Sequence, residues 1–225
     1  MDRRADVRDT YDRIAPHFAS TREYAWPEVE SFVADRPPAD VGLDLGCGNC
    51  RHAEVLAGRV DRVVGLDVSR GLLETGRERA AERGFAVDLL QGDAARLPLC
   101  DGCVDVAVYV ATLHHLPTRA GRLASLDELA RVLAPGGRAL VSAWSTAHDR
   151  FDGAEEGFDT TVEWTLPGGE TVDRFYHIYD PEEFVADLEA SALTRREWEL
   201  SSGNCYAVVG PKPADGANAS PGSMD

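Results

Sequence analysis

The sequence predicts a doubly wound α/β fold, with a seven-stranded, mostly parallel sheet and a C-terminal antiparallel hairpin. Three observations carry this expectation. A short apolar strand ends in an acid and breaks into glycines at Leu43-Asp44-Leu45-Gly46-Cys47-Gly48-Asn49. Further strands that end in carboxylates follow at Val63-Val64-Gly65-Leu66-Asp67 and before Gln91-Gly92-Asp93-Ala94, with helical segments between them. The segments Arg195–Leu200 and Cys205–Val209 read as a terminal hairpin. Parallel strands joined by helices open a ligand crevice at their carboxyl ends.

In chain order, Asp6–Phe18 has Val7, Tyr11, Ile14 and Phe18 on one helical face. Trp26–Ala34 is a second helix, with proline at a permitted first-turn position and Pro37-Pro38 ending it. Strand one is Val41–Leu45, followed by the helix Arg51–Ala57. After the strand ending at Asp67 comes a helix over Leu72–Arg83, stopped by Gly84. Phe85–Leu90 is strand three and Val104–Val110 a buried strand four. The helix Leu123–Leu133 and the turn Ala134-Pro135-Gly136-Gly137 lead into strand five, Arg138–Ala143. His148–Gly169 reads as a polar insertion that is mobile or faces the substrate. Pro181–Ser191 is the last helix. The expected organisation is N-terminal helices over 1–40 forming a substrate lid, a main domain over 41–210, and a disordered tail over 211–225.

The glycines let the backbone turn tightly beside a ligand. A dinucleotide loop receives a pyrophosphate, which Asp44 would repel; a ligand ammonium group would be welcome there. Asp67 lies about 20 residues after the glycines, the spacing of a ribose-binding carboxylate. Asp93, with Ala94 beside it, suits an exocyclic amine.

Composition narrows the partners. The net charge is −16 and Lys212 is the only lysine among 225 residues. Such a balance gives a heavily hydrated acidic surface, as in proteins adapted to high salt, or an ordinary acidic protein from an arginine-rich genome. It argues against a non-specific nucleic-acid binder, but not against a specific RNA held by a few arginines. No apolar run reaches membrane-spanning length, and Met1-Asp2-Arg3-Arg4 lacks the apolar segment of a signal peptide, so a cytoplasmic location without membrane association is expected. Cys47-Gly48-Asn49-Cys50 and Cys100-Asp101-Gly102-Cys103 have zinc-site spacing, yet both fall in turns, so no metal is expected.

The ordered series over roughly Val41–Trp144 resembles the class I, Rossmann-like S-adenosylmethionine-dependent methyltransferases. These enzymes usually carry a third glycine where Cys50 stands. The resemblance implies S-adenosylmethionine as cofactor, held by Asp44, Gly46, Cys47, Gly48, Asp67, Asp93 and Ala94. Within that class, one subfamily is similar over nearly the whole ordered chain. The carrying residues are Tyr11–Phe18, Thr21-Arg22, Trp26-Pro27, His114-His115-Leu116, Trp144, Arg174-Phe175-Tyr176-His177 and Gly203-Asn204-Cys205-Tyr206. These resemble the tRNA wobble-uridine carboxymethyl methyltransferases, with Cys205 where tryptophan is usual. Members esterify the carboxylate of a 5-carboxymethyl group on tRNA and work with a small zinc-binding activator subunit.

That chemistry fits the residues. A carboxylate is ionised at neutral pH and is already a nucleophile, so the site has to aim it. Arg22 and Arg174 are the candidates for two parallel hydrogen bonds to it. His114 and His177 are candidates to bond the carboxylate or uracil, Trp144 and Tyr176 to stack on the base, and Asn204 to read a uracil edge. Each has a bland alternative: His114 as a pocket wall, Trp144 as core, Arg174 as a surface charge. The activator is expected at the edge strand Phe85–Leu90, with Leu72, Leu73, Glu74 and Glu78 completing the contact. A small-molecule methyltransferase acting on a quinone precursor or free carboxylic acid shares the cofactor site. A non-catalytic binding subunit is the third reading.

Overall fold

The strand that lacks polar alternation, β4 (Val104–Tyr109), lies in the middle of the sheet. Val106 and Val108 face one apolar core, and Ala107 and Tyr109 face the other. The computed structural model describes residues 3–151 and 153–213. Around β4 stand β1 (Ala39–Leu45), β2 (Val60–Asp67), β3 (Asp88–Gln91), β5 (Leu133–Trp144), β8 (Leu193–Ser201) and β9 (Asn204–Pro211). Their order is β3-β2-β1-β4-β5-β9-β8. The first five are parallel, and β9 runs antiparallel to both β5 and β8. The expected doubly wound sheet and terminal hairpin are therefore present. The strand order reverses between β1 and β4, where such sheets open a crevice. Asp105 ties β4 to β1 at their amino-terminal ends, away from that crevice, its Oδ2 accepting the N–H groups of Asp40 and Val41.

The helices are α1 (Arg3–Ser20), α2 (Pro27–Ala34), α3 (Arg51–Leu56), α4 (Arg70–Arg83), α5 (Arg119–Val132) and α6 (Pro181–Ala190). Ser69 caps α4 by accepting the Leu72 N–H, and Gly84 ends it in the left-handed conformation. α1 packs Tyr11, Ile14 and Ala15 against Leu72 and Val172. Asp12 fixes its position, accepting the Ser69 hydroxyl at 2.7 Å and the Gly71 N–H at 2.9 Å. No helix among the described residues is long and apolar enough to cross a membrane.

Four expectations need correction. Strand three is only Asp88–Gln91, because Phe85–Val87 lie outside the pairing with β2. The Pro135-Gly136-Gly137 turn does not precede β5 but forms a bulge within it, between the Leu133 and Arg138 pairings. The insertion His148–Gly169 is not wholly irregular. It contains β6 (Phe158–Thr165), which pairs with β7 (Thr171–Ile178) as a separate two-stranded flap. Arg174, Phe175, Tyr176 and His177 are therefore strand residues of β7. Pro211, expected to begin the tail, instead pairs with Leu193 at the end of β9; the rest of that expectation, from residue 214 to 225, lies outside the described residues.

Candidate active site

Two cavities open at the carboxyl ends of the parallel strands. The first spans about 560 Å³, open solvent at its entrance included, and is lined by Gly46, Asp67, Val68, Asp93, Ala94, His115 and Leu116, among others. Gly46 has φ +74°, and a Cβ there would lie 2.1 Å from Thr112 Oγ1, so only glycine fits. Asp67 receives the Gly48 N–H on Oδ2 and the Ser69 N–H on Oδ1, each at 2.9 Å. Each carboxylate oxygen keeps a lone pair, which matches two vicinal hydroxyls. Asp93 accepts the Ala95 N–H at 2.8 Å. Burial pushes Asp67 up to about 6 and Asp44 up to about 7.

The remaining residues expected at the cofactor support the loop from behind. Asp44 accepts the Ala53 N–H at the start of α3. Cys47 is buried against Gly65, and Gly48 donates its N–H to Asp67. Cys50 stands at φ +63°, a left-handed conformation that explains why glycine is usual there. Its sulfur sits only 2.6 Å from where a Cβ on Gly76 would be. A glycine inside α4 thus makes room for a side chain in the loop.

The second cavity spans about 1000 Å³, open solvent at its entrance included, and gathers Arg22, His114, Trp144, Arg174, Tyr176 and Asn204, six of the seven candidates for acceptor binding. The seventh, His177, is absent from it. Alternation along β7 turns His177 to the opposite face, where Nδ1 meets Asp159 at 2.9 Å and Nε2 meets Glu183 at 3.0 Å. It ties the flap to α6 and has no contact with the cavity. Residues that sequence reasoning missed also line the cavity: Trp164, Arg51, Arg150 and His148. Trp164 belongs to the flap; the available signal was the alternation of Phe158, Thr160, Val162, Trp164 and Leu166 with mostly polar residues before the Pro167-Gly168-Gly169 turn.

The electrostatics are specific. In a chain of net charge −16, this cavity is lined by four arginines and one carboxylate, Glu163. Arg174 is 7% exposed, donates from Nη1 to the Tyr176 hydroxyl at 2.7 Å, and leaves Nε without a partner. Among the described residues no carboxylate pairs with it. Its guanidinium lies 4.8 Å from the Trp164 ring centre, and that of Arg22 lies 5.6 Å from the same ring. Burial lowers the pKa of Arg22, and burial with Arg22 nearby brings Arg51 down to about 10. The site is short of negative charge, and an anion would relieve it.

His114 and His115 are neutral here. His114 Nδ1 accepts the Trp144 N–H at 2.9 Å, so its proton sits on Nε2; burial keeps the ring uncharged. His115 Nδ1 donates to the Phe175 carbonyl at 2.9 Å, so Nε2 accepts from the Tyr11 hydroxyl at 2.9 Å. Burial brings His115 down to about 4. His115 lines both cavities and is the wall between them. Trp144 packs edge-on against Tyr176, His148 and Phe151. Asn204 is held by its own Nδ2 bond to the Ser202 carbonyl.

Residues 43–141 match the family model described as a methyltransferase domain. With the fold and the first cavity, this defines the class: the chain carries a class I S-adenosylmethionine-dependent methyltransferase domain. Among curated proteins it is similar to the tRNA (carboxymethyluridine(34)-5-O)-methyltransferase of Saccharomyces cerevisiae, at 34% identity over 168 residues, 72% of this chain and 57% of that protein. It is 36% identical over 143 residues to the protein of the same name from Arabidopsis thaliana, covering 64% of this chain and 33% of that one. The chain thus spans less than two thirds of the length of either relative. Among solved structures it shares its fold with a complex between the Haloferax volcanii Trm112 methyltransferase activator and a methyltransferase. The TM-score is 0.69 at 16% identity, covering 92% of this chain and 98% of that one.

The residues present fit the cofactor of this class. Asp67 would hold the ribose hydroxyls and Asp93 the adenine amine. Asp67→Ala is expected to weaken S-adenosylmethionine binding at least about tenfold, because charge-assisted hydrogen bonds are lost. Affinity should also fall as pH drops through about 6, where Asp67 takes up a proton. Protonation there favours the ligand-free fold, since the folded pKa is raised. Cofactor affinity and apo stability should therefore move in opposite directions across that window. Calorimetry giving wild-type affinity for Asp67→Ala would remove Asp67 from the site.

Proposed function

We propose that the chain transfers the methyl group of S-adenosylmethionine to the carboxylate of a 5-carboxymethyl-type wobble uridine in tRNA. The observation that carries the reading is the buried Arg174 without a carboxylate partner, in an arginine-lined cavity of an acidic chain. A guanidinium offers the planar fork that a carboxylate accepts. When bound, the cofactor supplies an electrophilic methyl carbon: a carbon–oxygen bond forms as the carbon–sulfur bond breaks, and the electron pair stays on sulfur. No proton changes hands, which suits a cavity whose His114 already carries its proton on Nε2 and serves as a hydrogen-bond donor. Arg174 and Arg22 aim the acid, and Trp144 and Tyr176 flank the base. α1 and α2 form the lid, with Asn49 of the glycine loop bonded to the Ala19 and Arg22 carbonyls.

The test is mass spectrometry of nucleosides after incubation with S-adenosylmethionine and tRNA bearing 5-carboxymethyluridine. A methyl ester, returned to the acid by mild base, is expected. A base-stable methyl group, or methylation only of a free carboxylic acid or quinone precursor, would overturn the tRNA reading in favour of a small-molecule enzyme.

A small zinc-binding activator subunit at the β3 edge belongs to the same proposal. It is supported by the place of β3 at the sheet margin and by the Haloferax volcanii methyltransferase, which was solved with an activator. The contact is shorter than the sequence implied. Leu72 and Leu73 are buried in this chain's own core, and Leu89 packs over Gly65, so the surface offered is backbone with Glu74 and Glu78. Co-expression should give a one-to-one heterodimer. A monodisperse chain, fully active alone, would exclude the partner.

A further inference from the structure

The loop between α1 and α2 is built in an unusual way. Three consecutive carbonyls are each pinned by a side chain from a different place. Asn49 Nδ2 donates to the Arg22 carbonyl at 2.9 Å, Arg79 Nη2 to that of Glu23 at 2.6 Å, and Arg51 Nη1 to that of Tyr24 at 3.2 Å. Arg79 is itself paired with Glu54 at 2.7 Å. A segment held this firmly has little freedom left to lose. Yet the Tyr24 ring is 76% exposed, more than any other large apolar side chain among the described residues. The other two, Trp198 and Leu200, lie on β8.

Tyr24 belongs to the segment that borders the acceptor cavity: Arg22 and Trp26, two positions to either side, line that cavity, and so does Arg51, which holds the Tyr24 carbonyl. Tyr24 itself does not line it. The guanidinium of Arg51 lies 5.1 Å from the Trp26 ring centre. The loop thus presents a bare aromatic side chain on a pinned backbone, within two residues of a cavity-lining arginine. Arginines contact phosphates while an aromatic face stacks on a base, the combination by which single-stranded nucleic acid is held. A protein partner is the poorer match, because protein hot spots sit inside a larger apolar patch.

We infer that Tyr24 is a stacking platform for a nucleobase flanking the modified uridine in the RNA. This rests on the tRNA reading above and deepens it, since it names how the site distinguishes a polynucleotide from a free nucleoside. The loop is ordered before binding, so little conformational entropy is lost when the base stacks.

The test compares two probes on the full chain: an anticodon stem-loop carrying 5-carboxymethyluridine, and 5-carboxymethyluridine nucleoside alone. Tyr24→Ala is expected to weaken stem-loop binding about tenfold or more in fluorescence anisotropy. Tyr24→Trp should bind like wild type. Turnover of the free nucleoside should be the same in all three, because that probe has no flanking base. Equal stem-loop affinity in wild type and Tyr24→Ala would overturn the inference while leaving the tRNA reading intact. Equal losses on both probes would also overturn it, by showing that Tyr24 acts through the loop's fold. A wild-type chain that turns over the nucleoside but binds no stem-loop would overturn the tRNA reading, and the inference with it.

Discussion

Replacing Arg174 with methionine is expected to cost at least about 100-fold in turnover, the scale set by loss of substrate alignment. The fold should remain as stable as before or become more so. The two halves of this expectation have one cause. Arg174 is buried against Trp164 and Tyr176, with Nε unpartnered and no carboxylate beside it among the described residues. An unpaired buried cation is unfavourable for the folded state, and an apolar side chain of similar length removes that burden. The same substitution removes the fork that aims an acid. Arg174→Lys keeps the charge but loses the fork and should recover little activity. Cofactor affinity should be unchanged in both variants, since Arg174 does not line the first cavity. Steady-state kinetics with thermal unfolding would check this. A methionine variant with full turnover would remove the anion from the proposed chemistry, and one that is inactive because it unfolds would assign Arg174 a structural role.

The sheet and the cofactor cleft were legible because their signals are local. An apolar run, a terminal acid and a glycine at a left-handed position lie within a few residues of one another, as at Leu43–Gly48. The flap was not legible, because its buried face contains a charge. Val172, Arg174 and Tyr176 are all buried on β7, yet arginine at the middle position erases the apolar alternation by which a half-buried strand is recognised. Missing the strand also misplaced His177, since strand alternation separates it from Arg174 and Tyr176. The state of His114 depends on the Trp144 backbone N–H, thirty residues away in sequence, and no motif encodes that contact. The edge strand was overextended because Phe85 and Val87 are apolar enough to look like strand while packing on the core instead.

Replacing Asp187 with alanine is expected to destabilise the protein by about 3–5 kcal/mol, the scale for breaking a buried ion pair from one side. Asp187 is fully buried on α6 and looks, in sequence, like any acid on a solvated helix face. It faces Arg122 of α5, which is 3% exposed, at 3.8 Å. It also accepts the Tyr179 hydroxyl at 3.2 Å and pairs with the more exposed Arg119. Truncation would leave that hydroxyl without its acceptor and Arg122 with Glu183 as its remaining carboxylate partner, at 3.2 Å. Glu183 is shared with His177, so the strain would pass into the flap that carries Arg174. For a chain of this size the loss corresponds to roughly a 6–20 °C fall in melting temperature. Arg122→Met combined with Asp187→Leu should lose less than the two single changes added together, because the pair's desolvation cost disappears with it. Denaturant unfolding with unchanged m-values would read the coupling directly. Stability within about 1 kcal/mol of wild type in Asp187→Ala, the range of an exposed ion pair, would show that this network orders the surface without holding α5, α6 and the flap together.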